Sequence, residues 1–233
     1  MTSGRRTATN DPRDQPAYPL TEAARYLKLP AATLRAWTLG RRYPTAQGKG
    51  NFRPLIRPAS GRPPLLSFSN LIEAHVLRAL RTDHGVSVKA LRQAVDFAEK
   101  KLGIERLLLR PELRSDAGQV FLDRYGELID LSASGQLAMR QVLQTHLKRV
   151  MWDEMRFPVR LHPFVAHEAG GESMPIAIDS TIAFGRPVVI SRGITTAAIV
   201  DRIDAGESVA ELAADYDLSV AEIEDAVLYE QVA

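Results

Sequence analysis

Apolar residues recur at three- and four-residue intervals along most of this chain, and the breaks in that rhythm mark out its elements. Leu20, Ala23, Ala24 and Leu27 predict a short first helix, with Thr21 placed to cap it. Lys28-Leu29-Pro30 ends it, because proline suits a first helical turn but not a helix interior. A second helix is expected from about Ala31 to Leu39, with Leu34 inward and Trp37 or Thr38 completing that face. Two short helices joined by a tight break form a helix-turn-helix pattern, in which Lys28 stands where a glycine is expected. Next come two strand pieces, Phe52 to Ile56 and Leu65 to Phe68, with turn chemistry in Pro58-Ala59-Ser60-Gly61. A basic hairpin in that place reads as a wing. Ser69 is positioned to cap a long amphipathic helix carrying Leu71, Ile72, Val76, Leu77 and Leu80, and another helix is expected from Ser87 to Gly103.

Beyond residue 110 the pattern weakens. Gln119 to Ser132 alternates like a hairpin, Gln136 to Met151 has helical spacing, and Pro158 to Val165 suits a strand. Ala169-Gly170-Gly171-Glu172-Ser173 has the composition of a linker. Extended pieces at Ile176 to Ile182 and Pro187 to Ile190 precede helices at Thr196 to Ala205, Ser208 to Tyr216 and Ser219 to Glu230. These readings predict a mostly α protein with small β-hairpins. Its parts are a basic disordered leader (1–17), a winged helix-turn-helix domain (18–110), a middle hairpin-plus-helix region (111–169) and a C-terminal three-helix bundle (172–233). A bundle of that size is marginal alone, so it is expected to dimerise or pack on a partner.

Charge sharpens this division. Residues 1–62 hold twelve Lys/Arg against three Asp/Glu, whereas residues 170–233 hold three arginines against twelve acids, so segments of net +9 and −9 hide within an overall +2. A basic end concentrates polyanion and an acidic end repels it, which assigns nucleic acid to the front and protein to the back. With no cysteine there is no disulfide, thiolate zinc site or Cys nucleophile. No apolar run approaches a bilayer span, and the polar N-terminus is not a signal peptide, so a cytoplasmic protein is expected.

The candidate chemistry is recognition rather than catalysis. If Leu34 points inward, Arg35 lies about 100° around the helix and projects outward, to a base edge or a phosphate. The competing reading makes Arg35 a solvated surface residue and Trp37 a core anchor. Arg41, Arg42, Lys49, Arg53 and Arg57 of the wing region suit phosphate positioning more than base readout. Gly48-Lys49-Gly50 lacks the spacing of a nucleotide-binding loop, and His162, His167 and Glu168 match no helical metal pair. No Ser/His/Asp order stands out. No enzyme activity, metal or cofactor is therefore expected.

Thr33-Leu34-Arg35-Ala36-Trp37, followed by a Gly/Arg/Pro-rich wing, Ser67-Phe68-Ser69 and Gly85-Val86-Ser87-Val88-Lys89-Ala90-Leu91, resembles the winged-helix domain of MerR-type proteins over about residues 18–103. That resemblance implies that Thr33, Arg35 and Trp37 lie at a DNA interface. Gly185-Arg186-Pro187-Val188-Val189-Ile190, with Ile194, Ala205-Gly206-Glu207-Ser208, Glu211, Tyr216 and Ile223, is similar to small antitoxin domains of VapB type over about residues 174–230. Such domains occur beside PIN-like ribonuclease toxins, and the family's Gly-Thr-Arg-Ile stretch appears here as Ser191-Arg192-Gly193-Ile194.

Together these readings point to the antitoxin of a type II toxin-antitoxin pair, which neutralises a PIN-like ribonuclease and represses its own operon. A homodimer on operator DNA is expected, through the helices between Leu71 and Leu102 or through the acidic bundle. The toxin-contacting candidates are Leu218, Val227 and Tyr229 as apolar anchors, and Arg186 and Arg192 as cations reaching an acidic metal site. A fragment ending near Gly170 is expected to keep electrostatic affinity for DNA, weakened where dimerisation is lost, yet to fail to protect cells from the toxin. The alternative is a MerR-like transcription regulator that senses a small ligand.

Overall fold

A computed structural model of the chain describes residues 11–45, 48–82, 92, 95, 106–109, 146–155, 157–168 and 171–231. A 3-10 turn at Pro12–Asp14 opens it, capped by the Asp11 carboxylate on the Arg13 amide. Arg13 is ion-paired with Asp11 and with Asp153, and Arg106 links Asp14 to buried Glu73. Residues 11–17, expected to be disordered, are thus tied down by contacts far away in sequence.

Strand β1 (Tyr18–Pro19) leads into helix α1 (Leu20–Tyr26). Pro19 rather than Thr21 is its N-cap, since α1 begins one residue before the threonine. Helix α2 (Ala31–Leu39) starts behind Pro30. A hairpin follows, of β2 (Arg41–Thr45) and β3 (Gly48–Phe52), and then a second, tighter one of β4 (Ser60–Gly61) and β5 (Pro64–Leu66). The expected wing pairing of residues 52–56 with 65–68 is therefore replaced by two local hairpins, with β5 also pairing with β1. The proline-glycine turn expected at 58–61 sits two to four residues early, because Arg62 and Pro63 occupy the turn.

Helix α3 (Phe68–Thr82) is held by a reciprocal pair one turn apart: Asn70 N–H donates to Ser67 Oγ and Ser67 N–H donates to Asn70 Oδ1. Ser67, not Ser69, fills the capping role. Leu71, Ile72, Val76, Leu77 and Leu80 are buried within the chain, so the described part of α3 serves the core and is not available for dimerisation.

The expected helix after Ser87, the hairpin at 119–132 and most of the helix at 136–151 fall outside the described residues. The end of the last falls inside them, and there Val150–Trp152 is a strand, β6. Strands β7 (Pro158–Leu161), β8 (Ala166–Glu168), β9 (Gly171–Ser173), β10 (Ile176–Asp179), β11 (Val188–Val189) and β12 (Ile194–Thr195) follow. The chain ends in α4 (Thr196–Asp204), α5 (Val209–Tyr216) and α6 (Val220–Gln231). Five strands form one antiparallel sheet in the order β12-β11-β10-β7-β6. All four residues of β10 are buried.

This sheet runs across the expected division at 169–172. Residues 171–173 of the supposed linker form β9, in which Gly171 pairs with Glu168 of β8, and β10 pairs with β7 from the supposed middle domain. Its inward residues serve two cores. Ile178 joins Tyr18, Leu34, Trp37 and α3, whereas Ile176 joins Val189, Ile199, Leu212, Ile223 and Tyr229 beneath α4 to α6. The three helices therefore rest on strands and are not a free-standing bundle. The described architecture mixes helices with antiparallel sheets around a helix-turn-helix, and is less purely helical than the pattern implied.

Candidate nucleic-acid interface

Helix α1 ends in a left-handed cap. Lys28 has φ of 53°, its N–H donates to the Arg25 carbonyl, and Leu29 N–H donates to the Ala24 carbonyl. These are the two bonds of a Schellman motif, whose left-handed residue is usually glycine because a Cβ is disfavoured there. The turn keeps that geometry with lysine, and the side chain shows what it does instead. Lys28 Nζ lies 3.8 Å from the Tyr229 ring centroid and donates to the Tyr229 carbonyl. Burial pulls its pKa down to about 8, partly opposed by Glu230. Tyr229 Oη donates to the Tyr26 carbonyl at 2.9 Å, and Arg25 pairs with Glu230 at 3.4 Å. The last helix of the acidic segment is thereby seated on the first helix of the helix-turn-helix.

On α2, Leu34 is buried and Arg35 is exposed, as the 100° step requires. Thr33 is half-buried in the first turn. Trp37 corrects the resemblance: at 2% exposure it is a core anchor and cannot reach a base without unpacking Leu34 and Ile56 from its cluster. Thr38 is also buried, its hydroxyl donating to the Leu34 carbonyl.

Gly40 ends α2 with φ of 77°, and a Cβ there would overlap the Phe52 carbonyl oxygen, so only glycine lets the chain turn directly into β2. Register places Arg41 opposite Phe52, Arg42 opposite Asn51 and Tyr43 opposite Gly50. Tyr43 lies over the bare Gly50 backbone and stacks on Phe52 at 4.1 Å, and Arg92 covers the other side of Phe52 at 4.7 Å. Strand alternation puts Arg42 on the opposite face from this stack. Lys49 holds a place in β3 opposite Pro44, so Gly48-Lys49-Gly50 is strand rather than a phosphate loop before a helix.

The chain then returns to α2, where Leu55 and Ile56 both donate N–H to the Trp37 carbonyl. Arg92 Nε donates to the Arg53 carbonyl and Asn70 Nδ2 to the Arg57 carbonyl, which fix the backbone at both residues. Thus α2, the hairpin and residues 53–57 converge about the end of one short helix. Tyr43, Phe52 and Arg92 were missed as supports of this surface. The glycine two places before Phe52 was a usable signal, since a bare backbone across from an aromatic is a common way to seat a ring.

Arg35, Arg41, Arg42 and Arg53 are exposed, and none forms an ion pair among the described residues. The acidic segment treats its cations differently. Arg192 pairs with Asp217, and Arg202 pairs with Glu207 and Asp215. Of the two arginines expected to meet a partner, Arg192 is therefore already engaged, and Arg186 is exposed without an ion pair among the described residues. The apolar candidates are corrected likewise. Tyr229 is 1% exposed and Leu218 is buried, because both fill the core under α4 to α6, and Val227 is half-buried against the same core.

His162 is buried, with Nδ1 3.0 Å from the Ile176 carbonyl, so it fastens β7 to β10. No group of three metal-ligating side chains occurs among the described residues.

Residues 16–95 match the family described as "Putative DNA-binding HTH domain", and residues 176–229 match "Protein of unknown function (DUF433)". The chain is 29% identical to "Putative antitoxin VapB45" of Mycobacterium tuberculosis, over 92% of this chain and 93% of that protein. It is 25% identical to "Uncharacterized protein Rv2308" of the same organism, over 93% and 90%. The crystal structure of Rv2018 from Mycobacterium tuberculosis superposes with a TM-score of 0.64 at 22% identity, covering 91% of this chain and 97% of that one, which establishes a shared fold.

Proposed function

We propose that this chain is the antitoxin of a type II toxin-antitoxin pair. It binds operator DNA as a homodimer through a MerR-like winged helix-turn-helix, and neutralises a PIN-like ribonuclease through its acidic C-terminal segment in the cytoplasm. It works by binding and carries no catalytic step of its own. One observation carries the reading. Arg35 on α2 and Arg41, Arg42 and Arg53 beside it are exposed without an ion pair among the described residues, while two of the three arginines of the acidic segment are paired with its own acids. Exposed cations without an acid partner release counterions from a phosphate backbone when they meet it, and the net −9 segment is unsuited to that task. The toxin half is supported by the relative named as an antitoxin and by the match of residues 176–229.

The test co-expresses the full chain with the product of the reading frame next to its own, expected to be a small ribonuclease, and titrates the full chain on its own promoter. Protection of growth, co-purification and a promoter complex that weakens steeply with salt are expected. A chain that neither protects nor co-purifies with the neighbouring product would overturn the antitoxin reading.

A further inference from the structure

Between β10 and β11 the backbone makes a turn in which Ala183, Phe184 and Gly185 have φ of 46°, 56° and 75°. Glycine suits this region, and the two side-chain-bearing residues before it do not. Phe184 is also 92% exposed, more than any other large apolar residue described. A ring both in water and in left-handed backbone is unfavourable twice over.

The turn is nevertheless built to hold it. Buried Asp179 accepts from Thr181 N–H at 2.9 Å and Thr181 Oγ1 at 2.6 Å, and from Arg160 Nε and an Arg160 terminal nitrogen at 3.1 Å each. Gly185 N–H donates to the Ile182 carbonyl at 2.8 Å. Gly185 is buried against the Tyr18 hydroxyl, closely enough that no Cβ fits. The loop is braced by the sheet on one side and by the start of the DNA-binding unit on the other, with Arg186 exposed beside the ring. A pre-ordered aromatic with an arginine next to it is the composition of a binding anchor, because little further ordering is needed on association.

We infer that Phe184 is the anchor by which this chain enters an apolar pocket on a basic, RNA-binding partner protein. The identity of that partner rests on the antitoxin reading above. Charge complementarity selects the occupant. The turn lies in the segment of net −9, which matches the cationic surface that any RNA-handling protein needs, whereas a second copy docked through the same segments brings like charges together. The signal was absent from the sequence pattern, in which Phe184 falls between the extended pieces expected at Ile176 to Ile182 and Pro187 to Ile190.

The experiment measures affinity of the full chain for the neighbouring ribonuclease with Phe184→Glu, Phe184→Gly and Phe184→Trp, alongside Leu228→Glu, at an exposed position of α6, as a control. Glu and Gly should weaken binding at least 100-fold and 10-fold, Trp should keep it, and the control should change it less than threefold. Phe184→Gly should leave the melting temperature unchanged or raised, since it relieves the left-handed backbone, so lost binding cannot be ascribed to lost folding. Wild-type chain that does not bind the ribonuclease sinks the antitoxin reading and this inference with it. Wild-type binding that Phe184→Glu leaves intact overturns this inference alone, as does a Phe184→Glu effect confined to self-association in sedimentation.

Discussion

Arg35 leaves α2 about 100° around from Leu34, exposed and without an ion pair among the described residues. Arg35→Ala is therefore expected to cost roughly 1–3 kcal/mol of specific binding if it reads a base, visible as relaxed discrimination between operator variants in competition titrations. A uniform loss across all sequences with a shallower salt slope would place it on a phosphate instead. Lys28 and Tyr229 act on stability. Tyr229→Phe keeps the buried ring but removes the bond to the Tyr26 carbonyl, and should lower unfolding free energy by about 1 kcal/mol in urea melts. An unchanged midpoint would mean that this bond does not hold α6 on α1. Lysine at a left-handed cap makes sense only with Tyr229 in view, and the two lie 201 residues apart.

At the scale of elements, α3 carries a buried titratable group that sets a pH limit. Burial first, then His146 beside it, push the His75 pKa down to about 3, and its Nε2 lies 3.3 Å from the His146 carbonyl. An unfolded histidine titrates near 6.5, so between those values the unfolded chain takes up a proton that the folded one refuses. The group's contribution is fully present above about pH 6.5 and is lost as the pH falls toward 3. Going from pH 7 to pH 5 should cost about 2 kcal/mol from this residue. Urea unfolding at the two pH values measures it, and His75→Gln should flatten that part of the acid limb. Equal acid sensitivity in the variant would show that other groups dominate. Helix spacing identified α1, α2, α3 and the three C-terminal helices, because each buries one face at a 3.6-residue period. The hairpins were misplaced since strands of two to five residues rich in Gly and Pro have too little alternation to fix a register.

In the whole molecule, the expected independence of the two ends does not survive the sheet. A fragment ending near Gly170 lacks β10, which pairs with β7 and contributes Ile178 to the core of the DNA-binding unit. Such a fragment should give a broadened or absent thermal transition and weak, nonspecific DNA binding, whereas Arg35→Ala and Phe184→Glu in the full chain should each keep a cooperative transition. A cooperative melt at an unchanged temperature for residues 1–170 would contradict this. The contacts of Lys28, Arg25 and Tyr26 with α6 also place the acidic segment directly behind the helix-turn-helix. A partner gripping that segment thus has a short mechanical route to the DNA-binding helices.

The sequence by itself determined the helix-turn-helix, the inward Leu34 and outward Arg35, the C-terminal helices and the opposition of charge, because helical period and net charge are local or additive properties of the chain. Only the tertiary structure decided that Trp37, Leu218 and Tyr229 are core, that residues 171–173 pair with β8, that Arg192 is paired with Asp217, and that Phe184 is held out to solvent. Each of these depends on which distant segment lies alongside, and an apolar or charged residue looks the same in sequence whether its partner is water, the core or another chain.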